Sequence, residues 1–111
     1  MSEEPISGRA ARHVAAFNDS VRSGDWTAFA GRFTPDATMR FIGVPAGPFS
    51  GRDALAVGYA TQPPSDTLTV THDVSSGDVD ELRFAWDSGG TGTMILRWSG
   101  DLIAELTVIF S

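Results

Sequence analysis

The sequence predicts an α+β domain in which three N-terminal helices pack on a curved, mainly antiparallel sheet. Three observations carry this. Near the N-terminus, Ala10, Val14, Phe17 and Val21 recur at spacings of three and four, the stripe of an amphipathic helix. From Thr67 the apolar spacing drops to two, and the pattern repeats in the strands up to Trp98. Three turn signals, Ser75-Ser76-Gly77, Ser88-Gly89-Gly90 and Ser99-Gly100-Asp101, divide that second half into strands of hairpin length.

The elements follow in order. Residues 1–5 read as a frayed end, and the first helix as Ile6 to Ser23, with Gly24 as its stop. Asp25 reads as the N-cap of a short second helix, Trp26 to Arg32 or Phe33. Its apolar face is Trp26, Phe29, Ala30 and Phe33, and Pro35 forbids its continuation. Thr38 to Ile42 is a short strand, followed by the loop Gly43-Val44-Pro45-Ala46-Gly47-Pro48. Ser50 reads as the N-cap of a third helix, Arg52 to Ala60, with Asp53 in its first turn and Leu55 and Tyr59 on one face. Pro63-Pro64 ends it.

In the strands, Leu68, Val70, His72 and Val74 share one face, with Thr67, Thr69, Thr71 and Asp73 on the other. Leu82, Phe84 and Trp86 alternate with Arg83, Ala85 and Asp87, and Met94, Leu96 and Trp98 with Ile95, Arg97 and Ser99. Ile103 to Phe110 closes the sheet. The apolar sets point inward, so His72 is expected inside and Arg83 and Arg97 outside.

Composition narrows the function. With 111 residues, 41% of them hydrophobic and 20% charged, the chain reads as one domain, residues 1–111. The N-terminus carries no apolar secretory core and no run reaches the length of a membrane helix, so a cytoplasmic location is expected. The net charge of −6, with eight acids against Arg83 and Arg97 after Thr61, argues against nucleic acid and against an anionic membrane. There is no cysteine and no lysine, which excludes thiolate nucleophiles, Cys-ligated zinc, Schiff bases and P-loop chemistry. The two histidines, His13 and His72, form no metal-ligand pair, which argues against a His-rich metal site and leaves a mixed carboxylate site open; the expectation is no metal and no other cofactor. Asp78, Asp80 and Glu81 lack the oxygen spacing of a calcium loop and read as a solvated turn. Ser50 and Ser99 have no His–Asp partners for a nucleophile's role.

The stretches SGDWTAFAGRFTPDAT, GPFSGRDAL, the Tyr59 helix and the closing GDLIAELTVIF together resemble the NTF2-like superfamily. That is the cone-shaped fold of ketosteroid isomerases and SnoaL-type polyketide cyclases, and the resemblance covers nearly the whole chain. It implies an apolar pocket inside the cone and a homodimer formed through the outer sheet face. The isomerase site consists of a carboxylate base after the DAT, a first-helix tyrosine and a late-strand aspartic acid. Those positions fall here on Phe41 or Ile42, on Phe17 and near Met94. The resemblance therefore does not extend to ketosteroid isomerase activity, which needs a base and oxyanion donors. The Asp–Arg–Asp site of a related epoxide hydrolase would need an inward arginine, and Arg83 and Arg97 alternate outward.

What remains for chemistry is His72, with Tyr59 as a phenolic donor. SnoaL-type cyclases use a histidine and an aspartate in this cavity, and a neutral imidazole can serve as a base. The plainer reading of His72 is a hydrogen-bonded core residue, and that of Tyr59 a packing residue. The expected lining of the pocket is Phe17, Trp26, Phe41, Phe84, Trp86, Met94 and Trp98, and the tryptophans read equally as core. His13, one turn before Phe17, reads as a helix-surface residue. Two functions follow. One is binding of a small hydrophobic molecule, with isomerase-, cyclase- or hydrolase-like proton transfer by His72 and Tyr59. The other is a noncatalytic binding or dimerisation module with a filled interior.

Overall fold

The computed structural model describes residues 8–110. The frayed start and the helix onset at Ile6 fall outside that range. Helix α1 is Gly8–Ser23, and Ala10, Val14 and Phe17 are buried along it. It ends where Gly24, at φ 80°, donates its N–H to the Ser20 carbonyl at 2.8 Å, the left-handed stop that glycine adopts without steric cost. Asp25, expected as the N-cap of α2, stands one residue before it: Trp26 holds the N-cap position without a side-chain cap, and Asp25 accepts the Thr27 N–H at 3.0 Å in a local turn.

Helix α2 is only Thr27–Ala30, shorter than expected. Strand pairing overrides the remaining helical propensity. The Arg32 carbonyl accepts the Ile103 N–H at 2.9 Å, and Phe33 begins strand β1, Phe33–Ile42, five residues before the expected start. A two-residue strand, β2 (Phe49–Ser50), pairs with β1. Ser50 is thus a strand residue, and Gly51 takes the N-cap position of α3, Arg52–Thr61. The third helix lies between strands rather than N-terminal to all of them.

Strands β3 (Leu68–Ser76), β4 (Val79–Trp86), β5 (Thr91–Ser99) and β6 (Leu102–Phe110) form the meander. The curved sheet has the order β2-β1-β6-β5-β4-β3, antiparallel throughout except for the parallel pair β1–β6. The inner face carries the core: Leu82 and Phe84 on β4, Met94, Leu96 and Trp98 on β5, and Ile103, Leu106 and Val108 on β6, against Phe17 and Phe29. Arg83 and Arg97 are exposed on the other face, as the alternation requires, and Arg97 pairs with Glu105 at 2.9 Å.

Strand β3 departs from strict alternation. Val70 lies opposite Phe84, but His72 lies opposite Arg83, so Thr71 is one residue too many for the ladder. This bulge reverses the faces beyond it. His72 is exposed, and Val74, expected inside, is 64% exposed. Asp73 instead stands opposite the fully buried Leu82, and Ser75 opposite Asp80. Asp80 is likewise not a solvated turn residue. It is fully buried, accepting the Trp98 indole N–H at 2.9 Å and the Ser75 hydroxyl.

Among the described residues no helix is long and apolar enough to cross a membrane.

Candidate functional site

Between the helices and the inner face of the sheet lies an open cavity of about 310 Å³. Helix α1 contributes His13 and Phe17, and α3 contributes Tyr59. The sheet contributes Phe41, Leu68, Phe84, Trp86, Met94, Leu106, Val108 and Phe110, and the segment after α3 adds Pro64, Ser65 and Asp66. The walls are aromatic and mutually braced. Trp86 lies near-parallel to Phe110 at 6.2 Å and edge-on to Phe84 at 5.2 Å, with Phe17 at 6.3 Å.

Of the residues expected to line a pocket, Phe17, Phe41, Phe84, Trp86 and Met94 do so. The three positions that the isomerase comparison assigned to polar groups thus converge on one space, all apolar. Tyr59 also lines it, but its hydroxyl donates to the Met39 sulfur at 3.3 Å, a weak acceptor, and burial raises its pKa. Trp26 and Trp98 do not line the cavity. Trp26 lies behind Tyr59, stacked on it at 4.7 Å. Trp98 is bound to Asp80 under the Arg9 guanidinium, which sits 5.0 Å from its ring.

The histidines exchange places relative to expectation. His72, expected inside with Tyr59, is turned outward by the Thr71 bulge and does not meet the cavity. His13, expected on the helix surface, is 1% exposed and lines the cavity. It packs against Phe29 at 5.1 Å and Phe33 at 6.2 Å. Neither ring nitrogen has a hydrogen-bond partner among the described residues. Burial, with a smaller contribution from the Arg32 charge, lowers its pKa from 6.5 to about 3, so the ring is neutral at pH 7. The signal was in the sequence: His13 stands three residues after Ala10 and four before Phe17, on the apolar stripe itself. Among the described residues no three His, Asp or Glu side chains gather to hold a metal ion.

This architecture has known counterparts. The family model for the SnoaL-like domain matches residues 10–106. The chain belongs to the SnoaL-like domain family. Solved structures of the NTF2-like and ketosteroid isomerase-like type share its fold. One is a hypothetical protein with a ketosteroid isomerase-like fold from Catenulispora acidiphila, in complex with trimethylamine. It superposes with a TM-score of 0.75 at 16% identity, over 89% of this chain and 85% of that one. A SnoaL-like protein of unknown function from Burkholderia thailandensis gives a TM-score of 0.74 at 13% identity, covering 97% and 99%. A steroid delta-isomerase from Pseudomonas aeruginosa gives 0.68 at 18% identity, covering 98% and 84%. At such identities the likeness carries the fold alone. No curated protein matches the sequence.

Proposed function

We propose that this SnoaL-like domain binds a small, mainly apolar molecule bearing one hydrogen-bonding group, and that His13 engages that group. The observation that carries the reading is a neutral imidazole, neither of whose nitrogens has a partner among the described residues, in the wall of an open aromatic cavity. A buried polar group without a partner is costly, and a ligand that supplies one recovers that cost on binding. The trimethylamine complex of the Catenulispora neighbour supports small-molecule binding on this fold.

Isomerase-, cyclase- or hydrolase-like proton transfer finds less support. His72 and Tyr59 are not brought together, and an imidazole whose pKa is about 3 is a weak base at pH 7. A hydroxyl whose pKa is raised by burial is a weak acid there too. The module with a filled interior is disfavoured by the cavity itself.

The test is calorimetric titration with indole, benzyl alcohol and cyclohexanol. The wild type takes up at least one of them, and Met94→Trp, which places an indole ring in the cavity, loses that uptake while its far-UV circular dichroism is unchanged. No uptake by the wild type, or undiminished uptake by the filled variant, would sink the reading.

We further propose that the protein is a homodimer through the outer face of its sheet. The paired Ile42 and Ile109, with Thr93 beside Ile109, present an apolar patch there, and Ile42 is 51% exposed. Sedimentation equilibrium of the wild type against Ile42→Glu reads this directly: a monomeric wild type refutes it.

A further inference from the structure

The lining of the cavity is one-sided in charge, and this deepens the binding reading on which it rests. Among the described residues around the cavity, Asp66 alone is an acidic side chain, no arginine lines it, and His13 is neutral. Asp66 is half-buried and held in place. Its Oδ2 accepts the Ser88 N–H at 3.2 Å and the Ser88 hydroxyl, and no bond to Oδ1 occurs among the described residues. Ser88 belongs to the turn that follows Trp86, closed by Gly89 N–H donating to the Trp86 carbonyl at 2.9 Å. The carboxylate is therefore tethered to the same turn that positions the largest aromatic ring of the wall.

Both features act on ligand charge in the same direction. A carboxylate attracts a cation and repels an anion. The faces of Trp86, Phe17 and Phe110 carry the negative side of the aromatic quadrupole, which does the same. We propose that the cavity selects an organic ammonium ion, a protonated amine or quaternary ammonium, with its alkyl or aryl body among the rings and its nitrogen beside Asp66. His13 then engages the hydrogen-bonding group at the far, uncharged end of the ligand.

Three ligands of one ring size test this: benzylamine as the cation, benzyl alcohol as the neutral form and benzoate as the anion, titrated at pH 7 and low salt. Benzylamine is expected to bind about five- to tenfold more tightly than benzyl alcohol, with benzoate weakest. Asp66→Asn brings benzylamine down to the level of benzyl alcohol, while an unchanged far-UV circular dichroism spectrum reports that the variant is folded. Asp53→Asn, an exposed acid outside the cavity, keeps the preference and so separates Asp66 from the overall negative charge. Equal binding of amine and alcohol overturns the proposal, as does a preference that survives Asp66→Asn or disappears in Asp53→Asn. If only the alcohol binds, the ammonium selection is wrong and the cavity reading stands; if none of the three binds, both fall.

Discussion

Replacing His13 by phenylalanine should make the protein more stable and its cavity less useful. At pH 7.5 the wild-type ring is neutral, buried and without a partner for either nitrogen among the described residues. Relief of an unpaired buried polar group is worth about 1–3 kcal/mol. For a domain of this size that raises Tm by roughly 4–13 °C. The larger ring has room, because it borders the cavity.

The pH dependence sharpens the test. The folded-state pKa of His13 lies near 3 and the unfolded value at 6.5. The unfolded chain therefore takes up a proton that the folded one refuses. Above pH 6.5 the group leaves stability independent of pH; between 6.5 and about 3 stability falls as pH falls; below that the loss is complete. The advantage of His13→Phe over wild type should widen by about 1.4 kcal/mol on going to pH 5.5, and by about 2.7 kcal/mol at pH 4.5. All other groups are common to both proteins and cancel in the difference. Urea unfolding of both proteins at the three pH values measures it. A gap that stays constant with pH would show that His13 is not held neutral, and a destabilised variant at pH 7.5 would show that its nitrogens are paired. In the same samples, uptake of benzyl alcohol should weaken in the variant.

The other expectations are independent of that one. Gly92→Ala places a Cβ 2.6 Å from the Phe84 ring and 2.8 Å from the Ile109 carbonyl, so it should lower stability in urea by about 1–3 kcal/mol, or more if the backbone must move. Trp98→Phe removes the indole donor to the buried Asp80 carboxylate and should cost about 1.5–3 kcal/mol, with probe binding intact because Trp98 lies outside the cavity. His72→Ala should change stability by less than about 0.5 kcal/mol and leave probe affinity unaltered; a large loss of affinity would put His72 back into the site.

The parts of this molecule legible in the sequence are those set by local periodicity. Strands β4 and β5 alternate cleanly because each buries one face against the helices, so Phe84, Trp86 and Met94 could be placed in the wall. Phe17 followed from the helical stripe in the same way. What failed depends on partners distant in the chain. The end of α2 is set by Ile103, some seventy residues away, which claims the Arg32 carbonyl for the sheet. The bulge at Thr71 is fixed by the register against β4, and a period-two reading has no means of detecting an extra residue. That single residue moved His72 out and Asp73 in. His13 was missed for a different reason: its polarity was weighed above its position on an otherwise apolar stripe. Asp66 lies in an irregular segment before β3, where no periodicity reports which way a side chain faces.

The inner surface of the cone is thereby divided between two kinds of polarity, and the division bears on how a ligand reaches His13. At one end the buried Asp80 and Trp98 are joined by a hydrogen bond, the exposed Ser75 also donates its hydroxyl to Asp80, and Arg9 covers the Trp98 ring. Its guanidinium donates to the carbonyls of Gly77 and Gly100, the turns of two hairpins, at 3.3 and 3.2 Å. Polar groups there are spent on structure. The third hairpin turn, Ser88–Gly90, lies at the opposite end, where it holds Asp66 on the border of the cavity. The half-buried lining residues Pro64 and Asp66 and the exposed Ser65 connect the cavity to solvent on that side, while His13 stays fully enclosed. A ligand approaching along this segment meets the carboxylate first, the rings next and the neutral imidazole last. Charge at the rim then selects what enters, and the deep hydrogen bond selects what stays. This ordering requires no acid or base at the positions now held by Phe17, Phe41 and Met94, whose apolar side chains keep the path between the two polar groups dry.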